Sequence, residues 1–288
     1  MRAMRMHRYG GPPVIHDDEI EPPVPGPGEV LLRVEATTFN PSEAGLRRGL
    51  LRSVVALDLP YTMGLDVAGT VVAAGSSGFA VGDRVIGRLD GGAAADFAVA
   101  PADVLVRVPS GVDLAEAAAL PIAGLTAWQA VFEHAAVTAG QRVLINGTGT
   151  IGRFAVQLAR HVGADVVAVS PSRDVDPPTG PVDAFLHLVP AEPRHTALIR
   201  PGGVLVSATT LEARLPAGDF RARHFIVRND TAQLAALLNL VAAGAVGIDI
   251  ACRRPLTDLA AVHEDAENGR LPGKTLLLPA ARSTPHRP

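Results

Sequence analysis

The sequence predicts an α/β fold that joins a β-rich domain to a shortened, doubly wound domain with a parallel sheet. Three observations support this prediction. Residues 1–119 hold short strand-like runs between Pro and Gly, a glycine-rich turn follows β-type residues near position 147, and a proline-rich connection comes soon after it. Short strands with frequent turns favour a small barrel or sandwich, whereas strand-helix-strand units favour a parallel sheet.

Composition limits the classes of function. The chain has 288 residues, a net charge of -3 and 48% hydrophobic residues, which is enough to bury two cores. It has no apolar run long enough to span a membrane and no signal-peptide core, so we expect a soluble, cytoplasmic protein without a membrane partner. Cys252 is the only cysteine, which excludes an intramolecular disulfide and a thiolate metal cluster. A 4% aromatic content and near-neutral charge give no reason to expect nucleic acid as a partner.

Strand patterns dominate the first part, as in Val30–Val34 and Val67–Val72, and helical patterns begin near Leu114.

A β-α-β unit follows. Val143–Ile145 is an apolar run too short for a helix, and Val166–Val169 predicts the next strand. Between them, apolar residues recur at helical spacing: Ile151, Phe154, Ala155, Leu158 and Val162.

A G-x-G-x-x-G motif lies between this strand and this helix, formed by Gly147, Thr148, Gly149, Thr150, Ile151 and Gly152. In that setting the glycines let the backbone approach a pyrophosphate at the helix N-terminus, which predicts dinucleotide binding. A glycine-rich turn without a ligand is the alternative interpretation.

The end of the second strand indicates which dinucleotide binds. An NAD site places Asp or Glu there for the ribose 2′-hydroxyl, but this chain has Ser170, Ser172 and Arg173. Hydroxyls and a guanidinium suit a 2′-phosphate, so NADPH is the predicted cofactor. Arg173 as an ordinary solvated residue is the alternative.

The third strand of a doubly wound sheet is predicted to be missing. Twelve residues separate Val169 from the next strand-like run at Val182, and four of them are prolines. A helical crossover needs a dozen or more residues without such breaks, but an extended connection of this length reaches roughly 40 Å. In the usual 3-2-1-4-5-6 order the third strand lies at the edge, so its loss opens no gap.

The remaining pattern alternates strands and helices. We expect strands at Val182–Val189, Val204–Ser207 and His224–Val227, and a short helix at Ala191–Ile199. Asp230, with Gln233 three residues later, is typical of a helix N-cap. Helix and strand alternate again towards the C-terminus, and residues 280–288 read as a polar, disordered tail.

Several local strings resemble one family, the zinc-independent quinone oxidoreductase branch of the medium-chain dehydrogenase/reductase superfamily. They are Gly64–Gly69 with Gly82–Val85, Leu120-Pro121 with Gly124–Ala127, Phe154–Ala159, Pro201–Gly203, and Gly269-Arg270 with Gly273-Lys274. The resemblance implies a GroES-like catalytic domain from residues 1–119 and 248–288. It also implies a truncated Rossmann domain over 120–247, a cleft between the two, and a homodimer.

The resemblance also bears on metal and catalysis. Asn40 stands at the position of a zinc ligand in the zinc-dependent relatives, and Gly64-Leu65-Asp66 replaces their Gly-His-Glu, so no metal site is expected. Asn40 and Thr126 are implied to lie beside the nicotinamide, and Asp66 is a further catalytic candidate. The alternatives are that Asn40 shapes a turn and Thr126 caps a helix. For Asp66, the alternative of a buried hydrogen-bond acceptor is the one we favour.

Two functions follow from these residues. The first is NADPH-dependent hydride transfer to a quinone or an α,β-unsaturated carbonyl, with a small, apolar, conjugated substrate. The second is a cofactor-free cyclase, lyase or isomerase that uses the same cleft, with Asp66, Glu43 or His187 moving protons. A non-catalytic dimeric binding protein is a third candidate.

Overall fold

The computed structural model describes residues 1–53, 55–147, 149–169 and 179–280. The chain divides into two compact units. Unit 1 comprises Met1–Pro121 and Ile250–Pro288, and unit 2 comprises Ile122–Asp249. Each junction lies two residues beyond the domain boundary that the sequence predicts.

The regular elements of the described residues follow in chain order. The strands are β1 (Arg2–Met6), β2 (Ile15–Glu19), β3 (Glu29–Thr38), β4 (Tyr61–Thr62), β5 (Asp66–Ala73), β6 (Arg84–Arg88), β7 (Phe97–Pro101), β8 (Leu105–Arg107), β9 (Arg142–Asn146), β10 (Asp165–Val169), β11 (Val182–His187), β12 (Ile199–Ser207), β13 (Arg221–His224), β14 (Cys252–Pro255) and β15 (Thr275–Leu278). The helices are α1 (Pro41–Arg47), α2 (Leu114–Ala117), α3 (Leu125–Trp128), α4 (Thr150–His161), α5 (Thr231–Ala242) and α6 (Leu259–Glu267).

Unit 1 is β-rich, as the sequence predicts. One sheet has the order β2-β1-β4, and a larger one has the order β14-β15-β3-β5-β6-β8, with β7 also paired to β3. Along β3 buried and more exposed residues alternate, with Val30, Leu32 and Val34 inside, because successive side chains of a strand point to opposite faces. The C-terminal strand β15 pairs with the end of β3, and this pairing brings Lys274 next to the residues that follow β3.

Unit 2 holds a five-stranded sheet, within the described residues, in the order β10-β9-β11-β12-β13. Every pairing in it is parallel. Leu144, Phe185 and Leu205, from three adjacent strands, are fully buried, as expected for a sheet covered on its faces. Helix α4 buries the predicted stripe at Phe154 and Leu158.

The strand order places the switch of direction between β9 and β11. From β9 the chain crosses to β10 on one side and then to β11 on the other. This order equals 3-2-1-4-5-6 without its third strand. The connection in question includes residues 170–178, which lie outside the described residues, so the loss of the third strand stays a prediction.

Several predicted elements differ from the structure. The strand predicted at Val182–Val189 ends at His187, and the strand predicted at Val204–Ser207 begins at Ile199. The predicted helix at Ala191–Ile199 is reduced to one 3₁₀ turn at Thr196–Leu198, because Pro193 lacks the amide hydrogen that a longer helix needs. The predicted strand at His224–Val227 ends at His224 instead, since its partner strand ends at Ser207 opposite that residue. The helical region around α3 also contains π-helical turns at Leu120–Gly124 and Gln129–His134.

The predicted N-cap at Asp230 is confirmed, and it yields a testable stability effect. Its carboxylate accepts a hydrogen bond from the backbone N–H of Gln233 at 2.9 Å. We expect Asp230→Ala to lower the free energy of unfolding by about 1 kcal/mol, measured by urea denaturation. Asp230→Ser keeps a capping oxygen but loses the ion pair with Arg228. The serine variant should therefore recover most of the loss, and an equal loss in both variants would contradict the capping role.

Candidate functional site

The turn after β9 has the geometry that a dinucleotide site requires. Gly147 adopts φ +124°, a conformation that side chains rarely tolerate. A Cβ at Gly152 would lie 1.6 Å from the carbonyl oxygen of Gly147, so the turn packs directly on the start of α4. A Cβ at Gly149 would meet no atom of the described residues within 4 Å, its two chain neighbours aside. The three glycines thus serve three purposes: a tight turn, an open approach to the backbone, and close packing.

The N-terminus of α4 lies beside this open space. Its N-cap is Gly149, which has no side chain to accept from the first N–H groups of the helix. Such N–H groups and the helix dipole favour a bound anion. Of the predicted cofactor-binding residues, Gly147, Gly149, Thr150, Ile151 and Gly152 therefore come together. Thr148, Ser170, Ser172 and Arg173 lie outside the described residues, and their roles stay predictions.

Polar residues end the neighbouring strands at the same edge of the sheet. Asn146, His187, Ser207 and His224 lie side by side in register across β9, β11, β12 and β13. Ligands of open α/β sheets bind outside the carboxyl ends of the strands, where the strand order reverses. This row therefore lies where the fold predicts the ligand.

His187 is held as a neutral imidazole in this row. Its Nε2 lies 2.6 Å from the carbonyl oxygen of Ala191, and its Nδ1 lies 3.1 Å from Asn146 Nδ2. A carbonyl can only accept, so Nε2 donates and Nδ1 accepts. Burial lowers the pKa of His187. Both ring nitrogens are engaged, which argues against the proton-transfer role considered from the sequence.

A buried polar cluster surrounds Asn40 in unit 1. We call it the Asn40 cluster; its members are Thr38, Asn40, Glu43, Asp66 and Lys274, and all are at most 5% exposed. Asp66 Oδ2 accepts from Thr38 Oγ1, from Asn40 Nδ2 at 2.8 Å and from Lys274 Nζ at 3.3 Å. The structure thus places Asp66 as the buried acceptor that we favoured, while its catalytic role stays a prediction.

The hydrogen-bond capacity of Asn40 is largely used inside the cluster. Its Nδ2 donates to Asp66 at 2.8 Å and to Glu43 Oε2 at 3.3 Å, which occupies both amide hydrogens. Its Oδ1 accepts from Lys274 Nζ at 2.9 Å, leaving one lone pair. Asn40 is also the N-cap residue of α1, and its backbone N–H donates to Glu43 at 3.0 Å. Toward a ligand, Asn40 therefore acts as an acceptor.

Glu43 is the member of the cluster whose ionisation is most perturbed. Burial, and then the negative charge of Asp66, raise the pKa of Glu43 to about 7, against an ordinary value of 4.5. Hydrogen bonds from Asn40 and the charge of Lys274 act in the opposite direction but do not compensate. Near neutral pH the cluster therefore exchanges a proton at Glu43.

This shift predicts a pH-dependent effect of Glu43→Gln. Because the folded-state pKa is the higher one, the folded protein binds this proton more tightly, and that stabilisation is lost as the pH rises from about 4.5 through 7. As the pH rises from 5 to 8, the free energy of unfolding of the variant should increase by roughly 1–3 kcal/mol relative to that of wild type, measured by urea denaturation. His263, whose pKa burial lowers to about 3, acts in the opposite direction but equally in both proteins. A difference that does not change with pH would contradict the prediction.

Thr126, the third catalytic candidate, lies in unit 2. Its side chain is buried within α3, and Oγ1 donates to the carbonyl oxygen of Ile122 at 2.7 Å. The N-cap of α3 is Gly124, so the capping alternative for Thr126 is wrong. Its hydroxyl proton is bound to the helix, and only its lone pairs can serve a ligand.

The Asn40 cluster contains a residue that sequence reasoning did not assign to the site. Lys274 contacts Asn40 across 234 positions of sequence. The composition does single this residue out, since it is the only lysine among the 26 Lys and Arg residues of the chain. Among the described residues no three His, Cys, Asp or Glu side chains come together to hold a metal ion.

Two family models match the chain. Residues 26–110 match the alcohol dehydrogenase GroES-like domain, and residues 162–277 match the zinc-binding dehydrogenase family. Together they cover more than half of the chain, in the order that the resemblance predicts. The chain belongs to the medium-chain dehydrogenase/reductase superfamily. Within that superfamily it falls in the quinone oxidoreductase-like branch, as the relatives below indicate.

Curated relatives of this branch match part of their length. A quinone oxidoreductase homologue of Spinacia oleracea, described as chloroplastic, is 39% identical over 188 residues, which cover 61% of this chain and 57% of that protein. The quinone oxidoreductase of Homo sapiens is 36% identical over 176 residues, 59% of this chain and 53% of that protein. The matched region thus spans little more than half of either relative. The predicted cytoplasmic location stays a prediction.

Solved structures of the superfamily match almost the whole chain. The quinone oxidoreductase of Coxiella burnetii is 25% identical with a TM-score of 0.86, over 98% of this chain and 99% of that one. A mycobacterial protein solved in complex with NADPH is 26% identical with a TM-score of 0.83, over 97% and 100%. The α/β fold, with a GroES-like β unit and a Rossmann-like parallel sheet, is thereby confirmed. No helix in the described part of the chain has both the length and the apolar character to cross a membrane.

Proposed function

We propose that the protein is an NADPH-dependent, zinc-independent reductase of quinones or α,β-unsaturated carbonyl compounds. The observation that carries the proposal is the turn at Gly147–Gly152, whose open side lies at the uncapped N-terminus of α4. Membership in the quinone oxidoreductase-like branch supports it, as does the NADPH complex of a related protein. Its Rossmann sheet is proposed to lack the third strand.

When bound, NADPH supplies a hydride for the electron-poor carbon of the conjugated substrate. The backbone of the turn and the first N–H groups of α4 would hold the pyrophosphate. Asn40 and Thr126 would contact the reacting end through acceptor atoms, since their hydrogens are already donated within the protein. Water delivers the proton that completes the reduction.

We propose that Ser170, Ser172 and Arg173 bind the 2′-phosphate and so favour NADPH over NADH. The test is the binding of both cofactors to the purified protein by calorimetry, in wild type and in Arg173→Ala. We expect the variant to lose about tenfold in NADPH affinity, because a charge-assisted contact to the 2′-phosphate disappears. NADH affinity should not change, and Arg160→Ala, on the exposed side of α4, serves as the control.

The rival function, a cofactor-free cyclase, lyase or isomerase, is motivated by the short connection between β10 and β11. The same calorimetry separates the two. Micromolar NADPH binding, followed by turnover in a screen of enones and quinones, supports the reductase. If neither NADPH nor NADH binds, the result would contradict the proposed reductase function.

A homodimer is proposed from the free edge of the parallel sheet. Within the described residues, β13 lies at that edge, and nearby Ile226 exposes 80% of its surface. An unpaired strand edge beside an apolar side chain favours pairing with a second copy. A monomeric mass in solution scattering would rule the dimer out.

A further inference from the structure

The Asn40 cluster contains an ammonium group that the proposed function does not use. Lys274 is the only lysine of the chain, and its side chain is 3% exposed. Burying an ammonium is unfavourable unless it is paired and hydrogen-bonded. Its partners are Asn40 Oδ1 at 2.9 Å and Asp66 Oδ2 at 3.3 Å. The charge is therefore compensated inside a site that three separate elements of unit 1 build.

The chemistry of the two neighbours defines the orientation of the Asn40 amide. An ammonium can only donate, so the amide atom facing Lys274 has to be the oxygen. An ionised carboxylate can only accept, so the atom facing Asp66 has to be the nitrogen. The cation and the anion thus hold opposite ends of the same amide.

The ammonium also contacts the carboxylate at the other end of the amide. Lys274 Nζ lies 3.3 Å from Asp66 Oδ2, the same oxygen that accepts from Asn40 Nδ2 at 2.8 Å. Loss of Lys274 therefore removes the donor to the amide oxygen and one of the contacts of the carboxylate that holds the amide nitrogen.

We propose that Lys274 is a positioning residue, which fixes the side-chain amide of Asn40 with its oxygen presented as an acceptor. The orientation follows from unit 1 alone. Its effect on the rate of hydride transfer rests on the proposed reductase function. The two parts are therefore tested with separate readouts.

The first readout is chemical rescue of Lys274→Ala. The substitution removes Cγ, Cδ, Cε and Nζ, which together have the length of n-propylamine. We expect the variant to melt at a lower temperature than wild type, and n-propylammonium to raise its Tm saturably by about 5 °C. As a first control, 1-propanol, which has the same length without the charge, should not raise the Tm of Lys274→Ala. As a second control, n-propylammonium should not raise the Tm of Lys274→Met, because the methionine side chain fills the space. Equal effects of the amine and the alcohol would overturn the proposal.

The second readout connects the ammonium to Asn40. In the Asn40→Ala, Lys274→Ala double variant, the amine should bind at least about tenfold more weakly, because one of its two hydrogen-bond acceptors is gone. Unchanged amine affinity would overturn the positioning role.

A third readout needs no substitution of Lys274. Labelling lysine with ¹⁵N at Nζ gives a single side-chain signal, because the chain has one lysine. Asn40→Ala should shift that signal, whereas Glu116→Gln, in an exposed ion pair with Arg253, should not. If the Lys274 signal did not shift in Asn40→Ala, the result would contradict the contact between Lys274 and Asn40. This test remains valid even if Lys274→Ala does not fold.

The catalytic consequence is measured last. With NADPH and an enone that the wild type reduces, Lys274→Ala should lower kcat about tenfold with little change in the Kd of NADPH, and n-propylamine should restore kcat. A loss that appears only in NADPH affinity would overturn the positioning role. If the wild type reduces no enone or quinone, the proposed function fails, while the melting and NMR readouts still decide the orientation.

Discussion

Gly149→Ala is expected to weaken NADPH binding at least about a hundredfold, because a pyrophosphate approaching this turn would lose two charge-assisted hydrogen bonds. Gly149 is the N-cap of α4, where Ala is less favourable than Gly, so we expect a loss of stability of no more than about 1 kcal/mol. Gly149 adopts φ -72° and ψ -171°, which any residue tolerates. Apart from its two chain neighbours, no atom of the described residues lies within 4 Å of the added Cβ. Among the described residues, the methyl group therefore projects into the space that we assign to the ligand.

Two comparisons make this result specific. Gly152→Ala should lose stability and binding together, since its Cβ would overlap the carbonyl oxygen of Gly147. Gly111→Ala should change neither, because its Cβ likewise meets no atom of the described residues within 4 Å beyond its chain neighbours. Calorimetry with NADPH and thermal melting of each variant give both quantities. If Gly149→Ala bound NADPH as wild type does, the pyrophosphate would not lie at this turn.

The second large effect is expected for Asp66→Ala, which should destabilise unit 1 by about 3–5 kcal/mol. The substitution leaves Lys274 buried without its carboxylate partner and deprives Thr38 and Asn40 of their acceptor. Asp66→Asn keeps the shape and one acceptor oxygen, so it should cost less.

The aromatic residues allow the two units to be followed separately in urea. Both tyrosines, Tyr9 and Tyr61, lie in unit 1, and the single tryptophan, Trp128, lies in unit 2. The tyrosine transition should move to lower urea in Asp66→Ala. As a control, Glu116→Gln removes the exposed ion pair with Arg253 and should change stability by less than about 1 kcal/mol. A shift of similar size in both variants would contradict the role given to the buried charge pair.

The sequence predicted those parts of the fold whose causes are local. The glycine turn between β9 and α4 and the N-cap at Asp230 each depend on a few neighbouring residues with characteristic spacing. The π-helical turns around α3 could not be predicted, because their residues have the same apolar spacing as an ordinary helix. The early start of β12 at Ile199 depends on a bulge opposite β11, which accommodates the Pro-Gly-Gly segment and is a property of the sheet.

The site was predictable in part for the same reason. Asn40 and Asp66 were found through family resemblance, and the turn through its motif. Lys274 could be seen only as a compositional exception, because its contact with Asn40 joins the start of α1 to the residue before β15. The raised pKa of Glu43 depends on complete burial next to Asp66, which one sequence does not reveal.

The burial of Lys274 also determines how the protein responds to covalent labelling. All Lys and Arg residues except Lys274 are arginines. Acylating reagents and aldehyde cross-linkers, which react with primary amines, therefore have no lysine to react with on the folded surface. Besides the terminal amine of Met1, which donates to the carbonyl oxygen of Ile20, the single reactive amine becomes available only when unit 1 opens. The rate at which Lys274 is acylated would therefore measure how often that unit unfolds under native conditions.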